Sequence, residues 1–228
     1  MIFDPIYLLF VMAPALILSG LASWRVRANF KKYSRVRAMS GMTGAQAAKV
    51  LLDRAGIHDV RIVRARGHLS DHYNPMNKTL ALSDGVHDST SVAAIGIACH
   101  EAGHAIQHAT KYAPLWLRSL LVPTANIGSS LGYIVIFAGL ILNLFEVAML
   151  GVVMFSAVLL FQLVTLPVEF DASARAKRLA TEYGIVLERE QEGMNKVLNA
   201  AAMTYVAAVV ATLLTLAYFL LRVLAMRR

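Results

Sequence analysis

Four stretches of this chain contain no Asp, Glu, Lys or Arg: Pro5 to Ser23, Ser119 to Phe145, Val147 to Val168, and Val197 to Leu221. About 20 residues of helix cross the ~30 Å hydrocarbon core of a bilayer, and each stretch is at least nearly that long. The sequence therefore predicts a mainly α membrane protein with four transmembrane helices. A content of 57% hydrophobic residues agrees with this. The first stretch reads as an uncleaved anchor and not as a signal peptide. Asp4 precedes it where Lys or Arg would be wanted, and the basic cluster comes after it.

Orientation follows from the basic residues. Arg25, Arg27, Lys31, Lys32, Arg35 and Arg37 follow the first span, and Arg175, Lys177 and Arg178 follow the third. Between the second and third spans only Glu146 is charged. Basic loops stay cytoplasmic, which puts both termini outside. Arg222, Arg227 and Arg228 at the C-terminus argue the other way, and the larger early cluster outranks them. Topology and headgroup contact account for the net charge of +8, so it gives no reason to expect a nucleic-acid partner.

Within the polar segment after the first span lies His100-Glu101-Ala102-Gly103-His104. Side chains at i and i+4 share a helix face, so two imidazoles can reach one metal ion while the carboxylate between them stands beside a water on that ion. These are the parts of a zinc hydrolase site, with His100 and His104 as ligands and Glu101 as the base. Val92, Ala93, Ile95, Ile97, Ala98 and Cys99 before the motif, and Ala105 and Ile106 after it, suit a buried helix. The plainer alternative is a core helix with two hydrogen-bonded histidines. Grouping two imidazoles and a carboxylate in apolar surroundings is costly without a metal.

A third ligand must come from elsewhere. His108 lies about 12 Å along the helix axis from His100, too far for one ion with bonds of ~2 Å. The longer metzincin pattern fails, because Gln107 stands at its Gly position and Thr110 at its last His position. A distant carboxylate is wanted. Spans two and three form a hairpin, which returns the chain after Val168 to the same membrane face, where Glu169 stands just beyond Pro167. Asp171, Glu182 and Glu188 are its rivals.

Between the first two spans, Thr43 and Gln46 have capping-box spacing, Ala47, Val50 and Leu51 line one helix face, and Gly56 can end that helix. A small sheet follows. Val60 to Arg66 alternates, Leu69 to Tyr73 follows Gly67, and Asn74 to Asn77 turns the chain into Lys78 to Ser83. Thr79, Leu80, Ala81 and Leu82 are the candidate edge for holding an extended peptide, against an internal-strand alternative. His68, His72 and Tyr73 are candidate oxyanion donors. The single Cys99 lies about 100° round the helix from His100 and should be buried and unliganded.

Several blocks resemble the YugP-like membrane zinc metallopeptidases: Asp71-His72-Tyr73-Asn74-Pro75, Leu82-Ser83, Ser91 to Ala94, His100 to Gln107, Leu166 to Ser173, and Ala201 to Ala208. The family is similar in layout to the HtpX-like and CAAX prenyl proteases. The resemblance implies a zinc endopeptidase binding one Zn2+ per chain, with His100, His104 and Glu169 as ligands and Glu101 as general base. It also implies a small α+β zincin-like catalytic domain with a short sheet before the motif helix. Ser173 departs from the wider gluzincin pattern, which often has Asp there to orient a zinc histidine. Asp171 or Asp71 would then take that role. Asn74 replaces an Asp of relatives, and Tyr205 is either near the site or part of an interfacial tyrosine belt.

The expected organisation is an anchor at 1–23, a catalytic segment at 24–118, a hairpin at 119–168, a ligand-bearing helical segment at 169–196 and a last span at 197–228. Expected partners are the lipid bilayer, a peptide or membrane-protein substrate, and an unidentified membrane partner or adaptor. Gly128 and Gly132 would permit close helix packing. A site-2-type protease fits poorly, because the apolar run before His100 is bounded by Asp84, Asp88 and Lys111. The rival of another class is a non-catalytic zinc-binding membrane scaffold.

Overall fold

The computed structural model describes residues 4–67 and 69–227. The elements run α1 (Pro5–Tyr33, with a π-helical stretch at Leu8–Met12), α2 (Gly44–Arg54), β1 (Arg61–Ala65), β2 (His72–Asn74), β3 (Thr79–Ser83), α3 (Asp84–His87), α4 (Val92–Ala109), α5 (Ala113–Ile141), α6 (Phe145–Glu182) and α7 (Glu188–Ala225). The protein is mainly helical, and α1, α5, α6 and α7 are long and apolar enough to cross a membrane. Two compact units are distinguished: one comprises the residues up to Ala22, Trp116–Pro167 and the residues from Met203, the other Ser23–Leu115 and Val168–Ala202.

In the apolar unit, glycine lets α5 and α6 touch backbone to backbone. A Cβ on Gly132 would stand 3.1 Å from the Phe155 nitrogen, and one on Gly128 would collide with the Met154 carbonyl. The second apolar stretch stops being helical at Ile141, short of the expected Phe145. Asn143, at φ 54°, turns the chain there, and Phe145 already opens α6. Tyr7, Tyr133, Phe137 and Phe219 pack together, with centroid separations of 5.5 Å for Phe137–Phe219 and 6.0 Å for Tyr7–Phe219. The Asp4 carboxylate accepts from the Tyr218 hydroxyl and pairs with Arg222.

The second unit is an α+β fold around one apolar core. Thr43 caps α2 with both arms of the capping box: its hydroxyl accepts from the Gln46 N–H, and the Gln46 side chain accepts from the Thr43 N–H. Gly56, at φ 74°, ends that helix as expected. Ala47 and Leu51 are buried completely, and Val50 packs beside them. They meet Leu80, Leu82, Val86, Ile95, Ala98 and Ala102 in one core. Burying each leucine contributes roughly 1.5–3 kcal/mol.

The sheet order is β1-β3-β2, with β1 parallel to β3 and β2 antiparallel to it. The edge assignment for Thr79 to Leu82 is thereby corrected. Thr79 to Ala81 pair with Arg61 to Val63 on one side and with Asn74 to His72 on the other, so that backbone has no open side for a peptide. The edges are β1 and β2. The strand expected at Leu69 to Tyr73 begins only at His72, since Leu69 takes φ 55°.

Candidate metal centre

Helix α4 starts at Ser91, whose hydroxyl accepts from the Ala94 N–H, and it runs without Pro through the whole motif. The His100 and His104 rings stand one turn apart, with centroids 4.7 Å apart and planes at 82°. Across from them lies the polar half of α6. Small residues bring the two helices together: a Cβ on Gly103 would stand only 2.6 Å from the Ala172 carbonyl oxygen, and Ala172 and Ala176 are fully buried. Pro167 sits inside α6 without ending it, so Glu169 and Ser173 project one turn apart from a continuous helix.

This approach sets the Glu169 carboxylate 3.3 Å from His100 Nε2 and 3.6 Å from His104 Nε2. One donor atom from each of the three lies within 4.8 Å of the others. Two zinc bonds of about 2.1 Å meeting near the tetrahedral angle hold their donors about 3.4 Å apart. The donor set and its spacing fit zinc. Of the rival carboxylates, Asp171 and Glu182 are paired with Arg175 and Arg178, and Glu188 is exposed at the start of α7.

The centre is largely buried and charged. Glu169 is 2% exposed, His104 8% and Glu101 9%. Burial favours a neutral Glu169, but the two imidazoles outweigh it and hold the carboxyl well below its usual range. Burial likewise disfavours a charged His104, and contact with Glu169, with the charge of Glu101 added, reverses this and raises the imidazole. Glu169 is thus an ionised oxygen donor at neutral pH. The Cys99 thiol, wholly buried, is pushed up to about 12. It is neither a nucleophile nor a thiolate ligand.

Behind the imidazoles lie groups that orient them. Ser173 Oγ is 3.1 Å from His100 Nδ1, so the residue that departs from the gluzincin Asp still reaches a histidine. His104 Nδ1 lies 3.0 Å from Gln107 Oε1. The Gln107 Nε2 group donates to the Val168 carbonyl and to Asp171, each at 2.8 Å, and Asp171 also accepts from Arg175. Asp171 therefore touches a glutamine and not a histidine. Asp71, the other candidate for that role, accepts from the Ser83 N–H and hydroxyl at the end of β3.

Two of the candidate oxyanion donors have partners of their own. His72 is exposed with Nδ1 2.8 Å from the Ser70 carbonyl, and the Tyr73 hydroxyl is 2.8 Å from His108 Nδ1. Tyr205 belongs to the apolar unit, and His68 lies outside the described residues. Two contributors escaped the sequence reading. Gln107 is fully buried three residues after His104, a spacing that placed it on the histidine's face, and Gly103 signalled a close helix approach.

Compared with known proteins, residues 8–224 match the model of a family described as "Putative neutral zinc metallopeptidase". The chain is 43% identical over 213 residues to the "Putative membrane protease YugP" of Bacillus subtilis (strain 168), covering 93% of this chain and 95% of that protein. The likeness therefore takes in the apolar helices, the sheet segment and both donor-bearing helices. No solved structure matches the chain.

Proposed function

The chain belongs to the neutral zinc metallopeptidase family, and we propose that it is a membrane-embedded zinc endopeptidase in which Glu101 is the general base and His100, His104 and Glu169 hold the metal. The observation that carries this is the meeting of those three donors on two helices, with Glu101 between the imidazoles in sequence. Bound zinc supplies Lewis acidity, which acidifies water and polarises a scissile carbonyl. Glu101 takes the proton of the attacking water and returns it to the departing amine, so one carboxylate serves both transfers. Its low exposure keeps bulk water from competing for that proton. Ser173 and Gln107 hold the rings in place during both steps.

Three protein donors among the described residues favour catalysis over a purely structural scaffold, which would use four. The substrates would be membrane proteins, juxtamembrane loops or peptides that reach the lipid boundary, and a membrane adaptor would supply selectivity. The basic residues after the first and third apolar stretches favour a cytoplasmic site with both termini outside.

The test is purified full-length protein with an unfolded reporter substrate. Glu101→Gln is expected to keep stoichiometric zinc and lose hydrolysis by at least about 100-fold, as general acid–base catalysis contributes roughly 10²–10⁴. Undiminished cleavage by this variant would overturn the mechanism.

A further inference from the structure

The two imidazoles are not held alike. Ser173 offers His100 a hydroxyl, which donates or accepts as needed and so serves either ring tautomer. Gln107 has no such freedom. Its side chain is completely buried and its Nε2 faces two oxygens, the Val168 carbonyl and the Asp171 carboxylate, each at 2.8 Å. Turning the amide over would set Oε1 against both of those acceptors and leave the buried NH2 group facing the ring. With the amide fixed, Oε1 points at His104 Nδ1, and an oxygen there can only accept.

We propose that Gln107 is a positioning residue whose amide, polarised by Asp171, keeps the His104 proton on Nδ1 and so turns the Nε2 lone pair towards the metal. Asp171 acts on the histidine through this glutamine, at one remove from the direct carboxylate–histidine contact of many zinc sites. Arg175, at 2.6 Å from Asp171, and the Tyr112 ring beneath the guanidinium at 5.6 Å hold the far end of the relay. The inference explains why a glutamine, poorly matched to apolar surroundings, sits fully buried at the end of an apolar helix. It rests on the reading that His100, His104 and Glu169 bind zinc.

The relay predicts that the same substitution has opposite effects in two backgrounds. In the natural chain Asp171→Asn weakens the acceptor that fixes Gln107. In Gln107→Glu, two carboxylates face each other, and Asp171→Asn then removes the repulsion and adds an N–H donor. Zinc affinity would be measured by chelator competition on the detergent-solubilised full chain, beside the melting temperature of each metal-free form and the visible spectrum of each Co2+-loaded form. Gln107→Met is expected to lose zinc affinity by about 10- to 100-fold and to alter the Co2+ spectrum. Asp171→Asn alone should weaken zinc binding several-fold, yet strengthen it when added to Gln107→Glu.

A merely structural glutamine would give losses that follow the melting temperatures, with no reversal of sign. That result, or unchanged affinity in Gln107→Met, overturns the inference while leaving the zinc reading intact. If Gln107→Met does not fold, the two Asp171→Asn comparisons decide. Absence of zinc binding by the natural chain would overturn both readings.

Discussion

Gly103 and Ala172 meet so closely that a methyl group added to Gly103 would stand 2.6 Å from the Ala172 carbonyl oxygen. The obstacle is helix backbone, which cannot swing aside as a side chain would. Gly103→Ala should therefore push the polar half of α6 away from α4 and carry Glu169 with it. The expected outcome is a loss of about 1–3 kcal/mol in stability and at least tenfold weaker zinc binding. Chemical denaturation and metal titration would check it, and retained affinity would show that the helices part elsewhere.

Among the described residues, Glu169 is the oxygen donor that α6 brings to the candidate site. Zinc that binds only the folded state stabilises it by about 2.7 kcal/mol when free metal is 100 times Kd. Chelation should lower the melting temperature of the natural protein and leave that of Glu169→Ala unmoved. An equal drop in both would place the metal on other residues.

The spacing of His100 and His104 was legible because helix geometry is local: four residues make one turn whatever surrounds them. So was the Thr43 and Gln46 box, whose partners lie three residues apart. Glu169 was harder, since nothing local ties it to the imidazoles. Hairpin topology brought it to the right side, and family resemblance set it above Asp171. The sheet misled for a related reason. β1 and β3 pair directly in parallel although β2 lies between them in the sequence, so the neighbours of Thr79 to Leu82 depend on a crossover that alternation does not record. Gln107 was visible as a mismatch to another motif and as the end of a resembling block, but its contacts were not, because its acceptors lie more than 60 residues away.

Cys99 offers a clean reporter of folding. With the thiol pushed up to about 12, raised because burial disfavours the charged thiolate, roughly one molecule in 10,000 is ionised at pH 8. Alkylation at pH 8 should be undetectable in the native protein and complete once it is unfolded. Rapid labelling of the native form would show that α4 opens readily.

Thr43→Ala removes the hydroxyl arm of the α2 cap and should cost about 1 kcal/mol, without altering zinc affinity. Because α2 packs through Ala47 and Leu51 on the core that backs α4, a larger loss would mean that the metal helix depends on the start of α2.

Helix α4 leaves the ribosome well before α6: His100 and its partner Ser173 are 73 positions apart, with the whole of α5 between them. A nascent chain thus presents both imidazoles before Glu169 has been made. In the proposed peptidase this order of synthesis would act as a safety catch, because the three-donor site is incomplete until translation has passed Glu169.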